Sequence, residues 1–224
     1  MRELCLEIYK GEDTMMIEYN KIETLWKRDM EGSKKLLEGQ FRNPTVEFLK
    51  DNLWTFTEKI DGTNIRVYWD GHTVTFGGRT EKAQIPVFLL DYLMATFKTN
   101  EAEQIFEEKF GETPVILFGE GYGPKIQNGG AYRDDISFIL FDVYIAGNYQ
   151  SRESVEDVAR SFGIDVVPII LEGTIEAGVA YVKSHPKSTM GTADMEGLVG
   201  RPKIEMRDRC GKRVIVKIKW EDFK

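Results

Sequence analysis

A chain of 224 residues with 42% hydrophobic and 30% charged residues has the apolar content for a globular core, which excludes a disordered or low-complexity protein. Its formal net charge of −7 excludes a general polyanion binder coated in basic side chains. No apolar run reaches the roughly 20 residues of a membrane span, the first residues carry no signal-peptide pattern, and the sparse pair Cys5 and Cys210 points to a reducing, cytoplasmic compartment without structural zinc.

In chain order, residues 15–50 mix short apolar spacing with many charges, and "IETLWKRDMEGSKKLLEGQF" reads as helix and loop. "LWTFTEK" and "NIRVYW" alternate and are rich in aromatic and β-branched residues, so both predict strands. Asp70-Gly71 signals a hairpin, and "TVTFGGR" is the returning strand. "VFLLDYLMATFKTNEAEQIFEEKF" has helical periodicity, with Pro86 at its start. "PVILFGEGYG" is a buried strand running into a glycine-rich loop, and "ISFILFDVYI", apolar on both faces, is a central strand. "SRESVEDVARSFG" carries an N-cap serine, an acidic first turn and a terminal glycine, the pattern of a helix. "TIEAGVAYVKS" is a second helix, and "EGLVGRP" and "RVIVKIKW" are the last strands. Hairpin-joined strands outnumbering helices predict an α+β fold of mixed, mainly antiparallel sheets with flanking helices. No linker divides the chain into two large domains.

Lys59 stands between two of the predicted strands, followed by Asp61, Gly62 and Asn64. An amine attacks only when unprotonated, and a free lysine with a pKa of ~10.4 is almost wholly charged at neutral pH. A nucleophilic lysine therefore needs burial, nearby cations or a metal. Gly62 lets the backbone turn where a Cβ would clash. On Lys-x-Asp-Gly alone, a type I′-like turn with a solvent-facing lysine is an equal reading.

Glu120 ends a buried strand and Glu196 opens "EGLVGRP". Lys217 and Lys219, two apart in a strand, project from one face. Such a lysine pair repels itself unless an anion lies against it. A triphosphate is such an anion, and the carboxylates suit a hard divalent cation. Arg201 to Lys219 holds eight basic residues against two acidic ones, which reads either as a solvated ribbon or as a phosphate-handling surface. His72 and His185 read as loop residues. Gly121 to Arg133 reads equally as a flap or a plain surface loop.

Taken together and in order, these motifs resemble the covalent nucleotidyltransferase superfamily of polynucleotide ligases and mRNA capping enzymes, most of all the ATP-dependent RNA-repair ligases of phage and RNA-editing type. "EKIDGTN" is similar to the nucleophile motif, with Lys59 as the adenylated lysine. Arg79 in "GGRT" falls where the family has an arginine after the second strand. "FGEGYG" matches through Glu120, "FILFDVY" through Phe141, "EGLVGR" through Glu196, and "VIVKIKW" through Lys217 and Lys219. The resemblance runs from about Tyr19 to Trp220.

What the resemblance implies is a nucleotidyltransferase (ATP-grasp-like) domain over residues 51–224, with residues 1–50 as an N-terminal helix-and-loop segment packed on it. No C-terminal oligonucleotide-binding barrel or RNA-ligase accessory domain is expected within the sequence. The implied chemistry is attack of Lys59 on ATP to form lysyl-AMP, transfer of AMP to an RNA 5′-phosphate, and sealing to a 3′-OH. Lys217 and Lys219 would neutralise the α-phosphate. Glu58 would accept from the adenine amino group, Phe141 would stack on the base, and Arg79 would touch ribose or a nucleic-acid phosphate. Asn64 offers a short polar group beside the nucleotide. Glu196, with Glu120, would serve Mg2+ or Mn2+, and Glu120 alternatively a ribose hydroxyl. The expected partners are RNA ends, in a nicked duplex or not, and a separate RNA-binding protein; no membrane is expected. A phage origin is compatible with the likeness. The competing functions are a minimal ATP-dependent DNA ligase and a non-ligating module that binds a nucleotide or RNA end.

Overall fold

The computed structural model describes residues 17–33 and 35–224; Cys5 lies outside them. In chain order the elements are β1 (Glu23–Thr24), β2 (Trp26–Arg28), β3 (Leu36–Phe41), α1 (Pro44–Phe48), β4 (Trp54–Glu58), β5 (Thr63–Trp69), β6 (Val74–Gly78), α2 (Val87–Phe97), α3 (Asn100–Phe110), β7 (Val115–Tyr122), β8 (Ser137–Ile145), β9 (Asn148–Tyr149), α4 (Arg152–Phe162), β10 (Asp165–Val166), β11 (Ile169–Gly173), α5 (Ile175–Lys183), β12 (Gly197–Pro202) and β13 (Val216–Lys219). This is the expected α+β class. Two strand pairs, β1 with β13 and β10 with β8, are parallel, and the remaining strand pairs are antiparallel. No described helix is long and apolar enough to cross a membrane.

Two compact units divide the chain: Met1–Tyr19 with Asp61–Val167, and Asn20–Ile60 with Pro168–Lys224. In the first, the sheet runs β10-β8-β7-β5-β6, with β9 beside β8. One face carries Ile65, Val67, Trp69, Val115, Leu117, Phe138, Leu140 and Val143 against Leu89, Leu93 and Phe97 of α2, Phe106 of α3 and Val155 and Val158 of α4. β8 is central, between β7 and β10, and is buried along most of its length. Its alternation slips once: Phe118 pairs with Asp142 but Gly119 with Leu140, leaving Phe141 as a bulge. The Asp70 turn forms as expected, its carboxylate accepting from His72 N and Thr73 N at 2.8 Å each. The glycine-rich segment is neither open nor featureless. It winds on itself, with Ile126 N donating to Gly123 O and Gly129 N to Ile126 O, and it buries Ile126 in the core.

The second unit holds the sheet β1-β13-β12-β4-β11 and the β2-β3 ribbon. Trp54, Phe56, Leu198, Val216 and Ile218 share its core with Ile175, Val179 and Val182 of α5.

Two expectations are corrected. The helix-and-loop reading of "IETLWKRDMEGSKKLLEGQF" fails: the segment forms β1, β2 and β3. Asp29 caps a tight turn by accepting from Gly32 N and Ser33 N, and such carboxylate-to-backbone bonds compete with a helix. The single helix over 87–110 is two helices, because Thr99 takes an extended conformation and its side chain accepts from Ala102 N, starting α3 afresh.

Candidate active site

In the second unit three strand ends meet. Leu198 of β12 lies between Glu58 of β4 and Ile218 of β13, and Gly197 lies opposite Lys219. Lys59 N donates to Gly197 O at 3.0 Å, and Trp220 N to Glu196 O at 3.0 Å. Gly197 is required for this approach, since a Cβ there would stand 2.0 Å from Ile218 O. Strand alternation then sorts the side chains. Glu58 turns inward with Trp54 and Phe56, while Lys217 and Lys219 alternate with buried Val216 and Ile218.

Glu196 sits between two of the predicted lysines. Its Oε2 lies 2.7 Å from Lys59 Nζ and its Oε1 3.0 Å from Lys219 Nζ. The three side chains are only 16–24% exposed, so water screens them weakly. Lys219 also donates to Glu221 at 2.7 Å. Burial alone would lower the Lys219 pKa, but the bonds to Glu221 and Glu196 outweigh it and raise it above 10.5. Lys219 is thus a fixed positive charge. Lys217 shares its face of β13, two residues away.

Glu58 is 1% exposed. Its Oε2 accepts from Thr189 N at 3.1 Å and Thr189 Oγ1 at 2.7 Å. Its Oε1 is buried and takes no hydrogen bond from the described residues. A buried carboxylate oxygen without a donor is costly, and a bound ligand with an N–H would relieve it.

The first unit holds the other predicted residues. Asn64 lies opposite Glu120 across β5 and β7, and Glu120 opposite Ile139 of β8. Ile65 with Gly78 is the last pair between β5 and β6, and Arg79, exposed, follows it directly. Asn64 Oδ1 is a second buried acceptor without a donor among the described residues. Gly62 packs so closely that a Cβ would come within 2.4 Å of Gly121 O and 2.8 Å of Glu120 Cγ. Asp61 is held from the glycine-rich segment, by Asn128 Nδ2 at 2.6 Å. Phe141, half-buried at the bulge, meets Tyr19 edge-on at 5.0 Å, and Tyr19 donates to Asp142 at 2.6 Å. The "EKIDGTN" motif itself is split: Glu58 and Lys59 belong to one unit, and Asp61, Gly62 and Asn64 to the other.

Sequence reasoning missed Thr189, which carries no motif signal, and Glu221, whose position two residues past Lys219 was legible. Both sequence histidines lie in loops; His185 stacks on Trp220 at 4.1 Å.

The RNA ligase family profile matches residues 52–219. No curated protein matches the chain. Among solved structures, the chain is similar to an apo mutant of the Naegleria gruberi RNA ligase, with a TM-score of 0.65 and 19% identity over 93% of this chain and 57% of that one. A mutant of the same ligase with ATP and Mn gives 0.65 and 20% over 91% and 56%, and the ligase with PPi gives 0.61 and 18% over 92% and 62%. At these identities the likeness establishes a shared fold, and the chain spans somewhat over half the length of those ligases. The profile covers well over half of the residues, including every motif from Glu58 to Lys219: the chain belongs to the RNA ligase family.

Proposed function

We propose that the protein is the catalytic nucleotidyltransferase part of an ATP-dependent RNA ligase that works through a lysyl-AMP intermediate. The observation that carries this reading is the Glu196 carboxylate between Lys59 and Lys219 at 2.7 and 3.0 Å. Family membership and the fold shared with a ligase solved with ATP and Mn support it.

Lys59 Nζ attacks the α-phosphorus of ATP. An N–P bond forms, the bridging α–β P–O bond breaks, pyrophosphate leaves with the electron pair, and the amine proton passes to solvent. An RNA 5′-phosphate oxygen then attacks the same phosphorus, and Lys59 departs. Finally a 3′-OH attacks the activated 5′-phosphate and AMP leaves. Splitting the displacement across a covalent intermediate eases each step.

While Lys59 is paired with Glu196 its ammonium has no lone pair to use. Lys219, held by two carboxylates, stays charged and neutralises the α-phosphate together with Lys217. The Glu196 carboxylate is an oxygen donor of the kind Mg2+ or Mn2+ takes. A divalent ion there would supply charge neutralisation at the phosphates. Attack needs the neutral amine, so the pairing with Glu196 has to break and a proton has to leave Lys59 Nζ. The donor-less Glu58 Oε1 suits the exocyclic amine of adenine, whereas guanine presents a carbonyl at that position. Asn64 and Glu120 suit ribose hydroxyls, Arg79 a ribose or phosphate, and Phe141 the base face. The partner is RNA with 5′-phosphate and 3′-OH ends, in a cytoplasmic setting.

The test is sealing of a nicked duplex in RNA and in DNA form, after labelling with α-labelled ATP or GTP. The reading predicts covalent label from ATP and sealing of the RNA nick. No covalent label, or sealing confined to DNA, would overturn it.

A further inference from the structure

The basic run from Arg201 to Lys219 does not act as one surface, because the fold sorts its charges. Lys217 and Lys219 end β13 at the candidate site. Lys203 is neutralised by Glu172 at 2.6 Å. Between β12 and β13 the chain forms a narrow ribbon. Asp208 N donates to Lys212 O, Val214 N to Met206 O and Gly211 N to Asp208 O, and Arg207 bridges Arg213.

Both acidic residues of this ribbon are used internally. Glu205 grips Arg213 through two bonds, 2.5 and 3.0 Å, and the Arg213 side chain is only 5% exposed. Asp208 accepts from Cys210 N at 2.8 Å and Lys212 N at 2.9 Å. Arg207, Arg209 and Lys212 are left exposed at the tip. Arg207 donates only to a backbone carbonyl, Gly211 O, and no ion pair to Arg209 or Lys212 is formed among the described residues. Three exposed cations against the single Asp208 carboxylate on one tip, in a chain of net charge −7, suit an external polyanion.

We propose that the tip Arg207–Lys212 is a remote phosphate anchor for the RNA strand. β12 runs from Gly197 beside Glu196 to Pro202, so at about 3.3 Å per residue the base of the ribbon stands about 20 Å from the candidate site. The tip lies beyond that base, so a duplex strand rising about 3.4 Å or less per nucleotide needs at least about six nucleotides to reach it. The anchor holds backbone away from the reacting ends, fixing register without reading sequence. This inference rests on the RNA ligase reading for its ligand.

The full chain with Arg207→Ala, Arg209→Ala and Lys212→Ala combined tests it. Adenylation by α-labelled ATP needs no RNA and stays at the wild-type rate. Affinity for a nicked RNA duplex falls about tenfold or more, and the slope of log affinity against log salt shrinks by about 2–3, at ~0.9 per lost phosphate contact. The deficit disappears on duplexes shorter than about six base pairs on each side of the nick. Arg207→Lys combined with Arg209→Lys, which keeps the charge, preserves affinity. Wild-type affinity and salt slope in the alanine variant would overturn the anchor, as would an equal loss in the lysine variant. A wild-type chain that takes no label from ATP would instead sink the ligase reading, while the binding comparison still judges the ribbon.

Discussion

Lys59 and Glu196 are 137 residues apart in sequence and 2.7 Å apart in space, joined as amine and carboxylate. The contact exists because β12 pairs with β4 and brings Gly197 O to Lys59 N. Glu196→Gln keeps the shape and removes the charge that pairs with both lysines. Label transfer from α-labelled ATP should slow by about a hundredfold or more, the scale of losing one transition-state electrostatic contact. A rate within a few-fold of wild type would remove Glu196 from the chemistry.

Glu58 supplies the second prediction. Its Oε1 is buried without a donor among the described residues, while Oε2 is held twice by Thr189. Glu58→Gln should weaken ATP binding by about tenfold or more, the equivalent of about 1.5–3 kcal/mol for a hydrogen bond to a charged group. It should also narrow the preference for ATP over GTP. Calorimetric titration of both nucleotides checks this, and an unchanged preference would argue against a base-reading role.

Gly62 is a packing prediction with a functional readout. An alanine there meets Gly121 O at 2.4 Å and Glu120 Cγ at 2.8 Å. The carbonyl oxygen belongs to β7 and cannot swing away, so Gly62→Ala should cost about 1–3 kcal/mol and lower the thermal midpoint. Because Glu120 is displaced as well, ATP affinity should fall with it. A variant as stable as wild type would show that the approach is looser than these distances.

The Lys219–Glu221 pair carries a pH signature. The hydrogen bond and charge of Lys219 hold the Glu221 carboxyl below its ordinary 4.5. That stabilisation is complete above 4.5 and is lost as pH falls through the lowered folded value. Lys219, raised above 10.5, contributes stability that is complete below that value and is lost as pH rises through the folded one. Glu221→Gln should therefore lie below wild type in urea midpoint at neutral pH and converge with it in acid. Curves that stay parallel through the acid range would exclude the pair as a source of stability.

Much of the fold was written in local pattern. Ser151 and Gly163 bracket α4 as their chemistry dictates, and the apolar residues of "ISFILFDVYI" demand a strand covered on both faces. Local pattern failed where tertiary pairing overrode it. Leu25 and Trp26 are buried and their segment pairs through β1 with β13, which no window of residues 15–50 contains. In the candidate site, the nearness of Lys59, Glu196 and Lys219 was foreseen only as an ordered set of motifs, since strand register fixes it. Thr189 was invisible because a lone loop threonine gives no signal until Glu58 is seen to need a donor.

The central claim is that Lys59 becomes covalently attached to AMP, and the intact mass of the protein after incubation with ATP and Mg2+ tests it most directly. The account predicts a gain of one AMP, reversed by pyrophosphate and absent from Lys59→Ala. An unchanged wild-type mass, or the same gain in Lys59→Ala, would contradict it.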